Sequence, residues 1–158
     1  MMRVWFSLFL SLALVVCVAG CGGGGSGRLS SDDYKAELAK ISKQSDAAHA
    51  AVEQRAPKAT TVAQVQAVLR GFAGAEDRIG DEVSKLKAPT NAEAANAELA
   101  RGEHDDAAEI RAVLPKLARF KSVQQAFGYL QQLGSTKGGH EQDQAIGELK
   151  KLGYTSGS

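Results

Sequence analysis

From Ser31 to Leu152 apolar residues return every three or four positions, the period of helices buried on one face. The first stripe runs Tyr34, Leu38, Ile41, Ser45, Ala48, Val52. Ser31-Asp32-Asp33 opens it with an N-cap and two carboxylates where the helix dipole favours them, and Pro57 closes it. Thr61-Val62-Ala63-Gln64 is a capping box. It leads into Val62, Val65, Leu69, Phe72, Glu76, Ile79, Val83 and Leu86, a stripe that stops before Pro89. Thr90-Asn91-Ala92-Glu93 reads as another capping box, ahead of Ala92, Asn96, Leu99, Glu103, Asp106, Ile110, Val113, Leu117 and Phe120. Pro115 is expected to kink or interrupt that helix near Ala112–Leu114. Ser122 starts a shorter helix with Val123, Phe127, Leu130 and Leu133 on one face, ended by Gly134. "GSTKGG" reads as a loop, and a last helix is expected from about His140 to Leu152 with Gly153 at C′. No strand-like alternation interrupts this series. The pattern predicts an all-α fold over residues 31–158: an antiparallel helical bundle of three long helices and two shorter C-terminal ones.

The first thirty residues follow a different rule. One cation, Arg3, precedes an apolar run from Val4 to Val18 and then small residues, the order of a secretory signal peptide. The run is shorter than the roughly 20 residues a spanning helix needs. Val18-Ala19-Gly20-Cys21 looks like a bacterial lipobox, in which small residues precede an obligatory Cys. Cys17, behind the bulky Leu14-Val15-Val16, does not fit one. The lipobox implies cleavage between Gly20 and Cys21, residues 1–20 being the signal peptide, with diacylglyceryl and acyl lipid on Cys21 as a covalent membrane anchor. An ordinary signal peptide with an incidental Cys, or an uncleaved anchor, are the competing readings. Two or more acyl chains hold a protein stably at a membrane, whereas one does not. The glycine-rich stretch that follows reads as a flexible tether, so that residues 21–30 span on the order of 17 Å.

Removing residues 1–20 changes what the composition says. The 19 Lys and Arg lose Arg3 and balance the 18 Asp and Glu, leaving the mature chain without net side-chain charge. Nucleic-acid binding is not expected, since it relies on excess cations. The only Trp, both Met and Cys17 leave with the leader, so the core must be built from Ala, Leu, Val and Ile with a few rings. With Cys21 lipidated, no disulfide and no cysteine-ligated metal remains.

Candidate chemistry lies in the acidic residues that interrupt the apolar stripes: Glu76 on the second, Glu103 and Asp106 on the third. His49 lies beside the first stripe. If these met at one level of the bundle they could bind a hard or borderline metal. The competing expectation turns them to solvent, with "RGEHDD" a water-facing turn of a long helix. The paired Glu-x-x-His motifs of di-iron bundles are missing; Asp46-x-x-His49 is the nearest approach. His140-Glu141-Gln142-Asp143 reads as helix-start acids. Arg111, Lys116, Arg119 and Lys121 form a basic patch around Pro115. No catalytic residues are assigned: no Gly-x-Ser-x-Gly elbow, usable thiol or phosphate-binding glycine loop is present.

Cys21, the Gly22–Gly27 tether, the opening "SSDDYKAELAKI" and the closing "ELKKLGYTSGS" together resemble the small helical lipoproteins encoded in large numbers by high-GC actinobacteria. The resemblance covers the whole chain. It implies location and architecture, a lipid-anchored, extracytoplasmic helical bundle, rather than a reaction; with no catalytic motif in the chain, the expected role is a non-enzymatic interaction or envelope module, with a protein partner left open. Many such proteins carry one Cys in the opening helix and another near the C-terminus, which implies a disulfide. Ile41-Ser42 and Thr155-Ser156 stand in those regions here, so that staple is absent.

Overall fold

A computed structural model describes Gly27–Thr155. Gly20, Cys21 and the Gly22–Gly25 run lie outside the described residues. Five α-helices account for most of that span: α1 (Ser31–Arg55), α2 (Val62–Lys85), α3 (Glu93–Leu117), α4 (Val123–Leu133) and α5 (Lys137–Lys151). Among the described residues there is no strand, as the pattern predicted. None of the described helices is long and apolar enough to cross a membrane.

Local signals set most boundaries. Ser30, one residue before the expected cap, accepts the Asp33 N–H at 3.1 Å and starts α1. Thr61 and Gln64 form the predicted capping box of α2, and Ser122 caps α4. Gly134 and Gly153 adopt φ of 69° and 77°, the left-handed region that glycine enters without steric cost. At Gly153 the amides of Gly153 and Tyr154 return to the carbonyls of Lys150 and Leu149 at 2.9 Å each, a Schellman end to α5.

Three expectations fail for physical reasons. Thr90 does not cap α3: the Ala92 N–H bonds the Pro89 carbonyl at 2.8 Å, giving a 3₁₀ turn over Thr90–Ala92 with no side-chain cap. Pro115 does not interrupt α3, which continues to Leu117; Leu114 and Leu117 are both buried and hold the last turn in the core. α5 begins at Lys137 rather than near His140, because Thr136 caps it and Gly138 and Gly139 are helical.

α2 and α3 form the central antiparallel pair, with α1 on α2 and α5 on α3. At one end Tyr34, Leu38, Ile41, Ile79, Val83, Leu99, Leu149 and Tyr154 make the larger core cluster. At the other, Val65, Leu117 and Ala126 are enclosed by half-buried side chains that include Leu69, Phe120 and Phe127. Each fully buried Leu or Val contributes about 1.5–3 kcal/mol. The chain joins the domain before α1 starts: the Leu29 N–H bonds the Lys87 carbonyl at 2.8 Å, and the Arg28 guanidinium meets the Ala88 carbonyl at 2.8 Å and Glu93 at 2.5 Å. Arg28–Ser30 therefore belong to the folded unit rather than to the expected tether.

Candidate functional site

Between the two core clusters lies a layer of acid. Glu76 of α2 and Glu103 and Asp106 of α3 are 1%, 5% and 8% exposed, so the expectation that they turn to water is overturned. Glycine explains why. A Cβ at Gly80 would come within 3.1 Å of the Ala100 carbonyl, and one at Gly102 within 3.0 Å of the Gly138 carbonyl. A Cβ at Gly138 would overlap the Asp106 amide and come within 2.6 Å of the Gly102 carbonyl. These positions let α2, α3 and α5 approach so closely that the side chains between them are sealed in.

Each acid has a distinct environment. Glu103 is within hydrogen-bonding reach of Glu76, and burial, followed by that hydrogen bond and the negative charges of Glu76 and Asp106, holds its carboxyl far above the carboxylate range. Oε1 of Glu76 and Oε2 of Glu103 are buried without a hydrogen-bond partner. With its carboxyl raised so far, Glu103 keeps its proton at neutral pH, which spares the layer one buried negative charge. Gln142 of α5 donates weakly to Glu76 at 3.4 Å. Asp106 accepts a short hydrogen bond from the Thr136 hydroxyl. Burial raises the Asp106 carboxyl, and the Thr136 bond opposes that rise. Thr136 at the same time accepts the Gly139 N–H at 3.0 Å, so the cap of α5 is tied to the acid layer.

His49 comes to the same level. Its ring lies edge-on to Phe72 with centroids 4.9 Å apart, close enough to Asp106 for the two to interact electrostatically. On the solvent side, Lys137 bridges Asp105 at 2.9 Å and Glu141 at 3.0 Å. The lysine holds the Asp105 carboxyl below its ordinary range. A second surface network joins α2 to α3: Arg111 and His104 both meet Asp77, and Arg111 is the larger cause of that carboxyl's lowered pKa. Arg111 is thus drawn out of the predicted basic patch into an ion pair, while Lys116, Arg119 and Lys121 remain exposed.

The four candidate residues do converge at one level of the bundle. Among the described residues no group of three or more His, Cys, Asp or Glu is arranged to hold a metal ion. Sequence reasoning missed Thr136 and Gln142. Thr136 was legible as a Thr N-cap, but the two glycines after it disguised the helix; Gln142 gave no signal of its own.

Comparison with known proteins adds no relative. The chain matches no family model, no curated protein and no solved structure.

Proposed function

We propose that the chain is a lipid-anchored, extracytoplasmic helical-bundle protein, a non-enzymatic interaction or envelope module whose lipid sits on Cys21. The observation that carries this reading is Val18-Ala19-Gly20-Cys21, placed where an apolar leader gives way to glycine. The fold is in keeping with it. The domain takes up the chain at Arg28 and Leu29, leaving the glycine-rich stretch after Cys21 as a short tether. The acid layer also suits a structural rather than a catalytic role, since its carboxyls are enclosed between helices. Inhibiting the lipoprotein signal peptidase with a globomycin-type compound is expected to leave a larger unprocessed form, and radiolabelled palmitate is expected to mark the mature protein. Normal processing of Cys21→Ala at the same bond overturns the reading.

A second reading, a metal- or small-ligand-binding lipoprotein, rests on the burial of Glu76, Glu103 and Asp106 at one level near His49, and a metal would require them to rearrange, since as placed no three of them are set to hold an ion. Binding a cation there requires Glu103 to lose its proton, so affinity would rise with pH. A melting temperature unmoved by Fe, Zn, Mn, Cu or Ca at pH 6 and pH 9 rejects a metal at this site.

A further inference from the structure

Charge is divided along the bundle. Between Gln54 and Ala75, and again between Ile110 and Thr136, the sequence holds none of its 18 acidic residues. Arg55, Lys58 and Arg70 lie in the first stretch, and Arg111, Lys116, Arg119 and Lys121 in the second. The two stretches meet at one end of the fold. There α1 finishes and α2 starts, α3 finishes and α4 starts, and Gln66 donates to the Leu114 carbonyl at 2.7 Å. Val65, Leu117 and Ala126 share the apolar cluster beneath that end. The chain beyond residue 20 has no net side-chain charge, so the remainder of the domain carries an equal excess of acid.

Arg111 is held by Asp77, and Arg70 lies two turns inside α2. Arg55, Lys58, Lys116, Arg119 and Lys121 remain at the tip, all exposed and none in an ion pair among the described residues. Glu53 is the acid beside them. The next acid back along α1 is Asp46, about 14 Å from Arg55 at a rise of about 1.5 Å per residue. Along α3, Glu109 lies about 10 Å from Lys116 by the same measure. Both distances exceed the Debye length of about 8 Å at physiological salt. An anionic layer laid across the tip therefore meets the cations and Glu53 alone, whereas one laid along the side of the bundle also meets the acidic half.

The tip lacks what other anionic partners use. The exposed large hydrophobic side chains among the described residues are Leu133, Ile146 and Leu152, at the far end of α4 and on or just after α5. The tip thus presents no apolar anchor to an acidic protein. Phe120 and Tyr129 are half-buried and pack on each other with centroids 5.4 Å apart, rather than standing free to stack on a base. Thr61 and Ser122 already occupy amides at the starts of α2 and α4, where a single phosphate would bind. What remains is a spread of side-chain cations drawn from three separate segments, which suits a flat surface of many anions. We propose that this tip docks end-on on bilayers containing anionic phospholipid, held by charge and without insertion. The docking rests on the charge distribution and does not depend on lipid at Cys21.

The test mixes the purified protein, held in phosphatidylcholine nanodiscs if it carries lipid, with larger vesicles of phosphatidylcholine with or without phosphatidylglycerol. Co-sedimentation is expected only with vesicles that contain phosphatidylglycerol, and is expected to fall steeply with salt. Each cation near such a surface is worth about fivefold in partitioning, so Arg119→Gln with Lys121→Gln is expected to weaken binding by about 25-fold. Glu53→Gln is expected to tighten it. Lys150→Gln with Lys151→Gln removes the same charge at the other end of the bundle and is expected to leave binding unchanged. Equal binding to neutral vesicles, no binding to either kind, or equal losses from the two double substitutions overturns the proposal. So does displacement from the vesicles by duplex DNA or polyglutamate at equal charge, which makes the partner a nucleic acid or an acidic protein instead.

Discussion

The Glu103 carboxyl lies within hydrogen-bonding reach of Glu76, in a layer that separates the two apolar clusters of the bundle. Burial and two neighbouring acids raise the Glu103 carboxyl from 4.5 to about 10, so the folded protein carries a proton there that the unfolded chain releases above its ordinary value. A raised carboxyl contributes stability below the unfolded pKa and loses it as pH climbs towards the folded one. Stability is therefore expected to fall from about pH 5 to pH 10, with Asp106 adding in the same direction. Asp77 and Asp105 act oppositely, since their lowered carboxyls weaken the fold only in acid. Glu103→Gln keeps the shape and a donor towards Glu76. It is expected to flatten the alkaline limb and to stabilise the protein at pH 8 by on the order of 2 kcal/mol. Urea unfolding across pH checks this; an unchanged alkaline slope rejects a proton held on Glu103.

Two helical glycines predict opposite outcomes for the same substitution. Gly138→Ala drives a methyl group into the Asp106 amide and the Gly102 carbonyl, both backbone atoms that cannot swing away. Overpacking of this kind costs about 1–3 kcal/mol or more, against about 1 kcal/mol gained in helix propensity. Gly71→Ala meets open space and is expected to raise stability by about 1 kcal/mol. Thermal melts of both variants, run side by side, decide whether close approach of α3 and α5 explains the glycine.

Much of this fold was legible because its signals are local. The capping box at Thr61 and Gln64, the stop at Gly153 and the stripe of α2 each act within a few residues. The acid layer was half legible. Periodicity placed Glu76, Glu103 and Asp106 on apolar stripes, but their burial depends on how closely the helices cross. Gly80, Gly102 and Gly138 control that approach from two other helices and the same one, which no single-helix pattern reports. The Thr90 cap failed in a similar way: Pro89 offered its carbonyl to Ala92 first, and Asn91 was taken by Tyr154.

A buried polar chain at the end of the bundle where α1 begins gives a third prediction. Tyr34 donates to Asn96 Oδ1 at 2.9 Å, and Asn96 donates to the Val83 carbonyl at 2.9 Å, linking α1, α3 and α2. Tyr34→Phe leaves the Asn96 oxygen buried without its donor, which costs about 1–3 kcal/mol. The loss should appear in urea melts with an unchanged m-value, because the surface exposed on unfolding is the same. A neutral substitution would mean that water reaches Asn96.

The C-terminus is closed onto α1 by rings. Tyr154 follows the Schellman turn and sets its ring edge-on to Tyr34, with centroids 5.1 Å apart, while its hydroxyl donates to Asn91 at 2.9 Å. The two contributions separate by substitution. Tyr154→Phe keeps the ring and removes a bond to an exposed residue, so a cost of no more than about 1 kcal/mol is expected. Tyr154→Ala removes the ring and uncovers the wholly buried Tyr34, which places it among large-to-small core changes of about 3–5 kcal/mol. Hydrogen exchange locates the effect: amides of the last turn of α5 and the first turns of α1 should lose protection together in Tyr154→Ala. If α5 alone loosens, the ring serves only to end its own helix, and the opening and closing segments of the chain are not coupled through it.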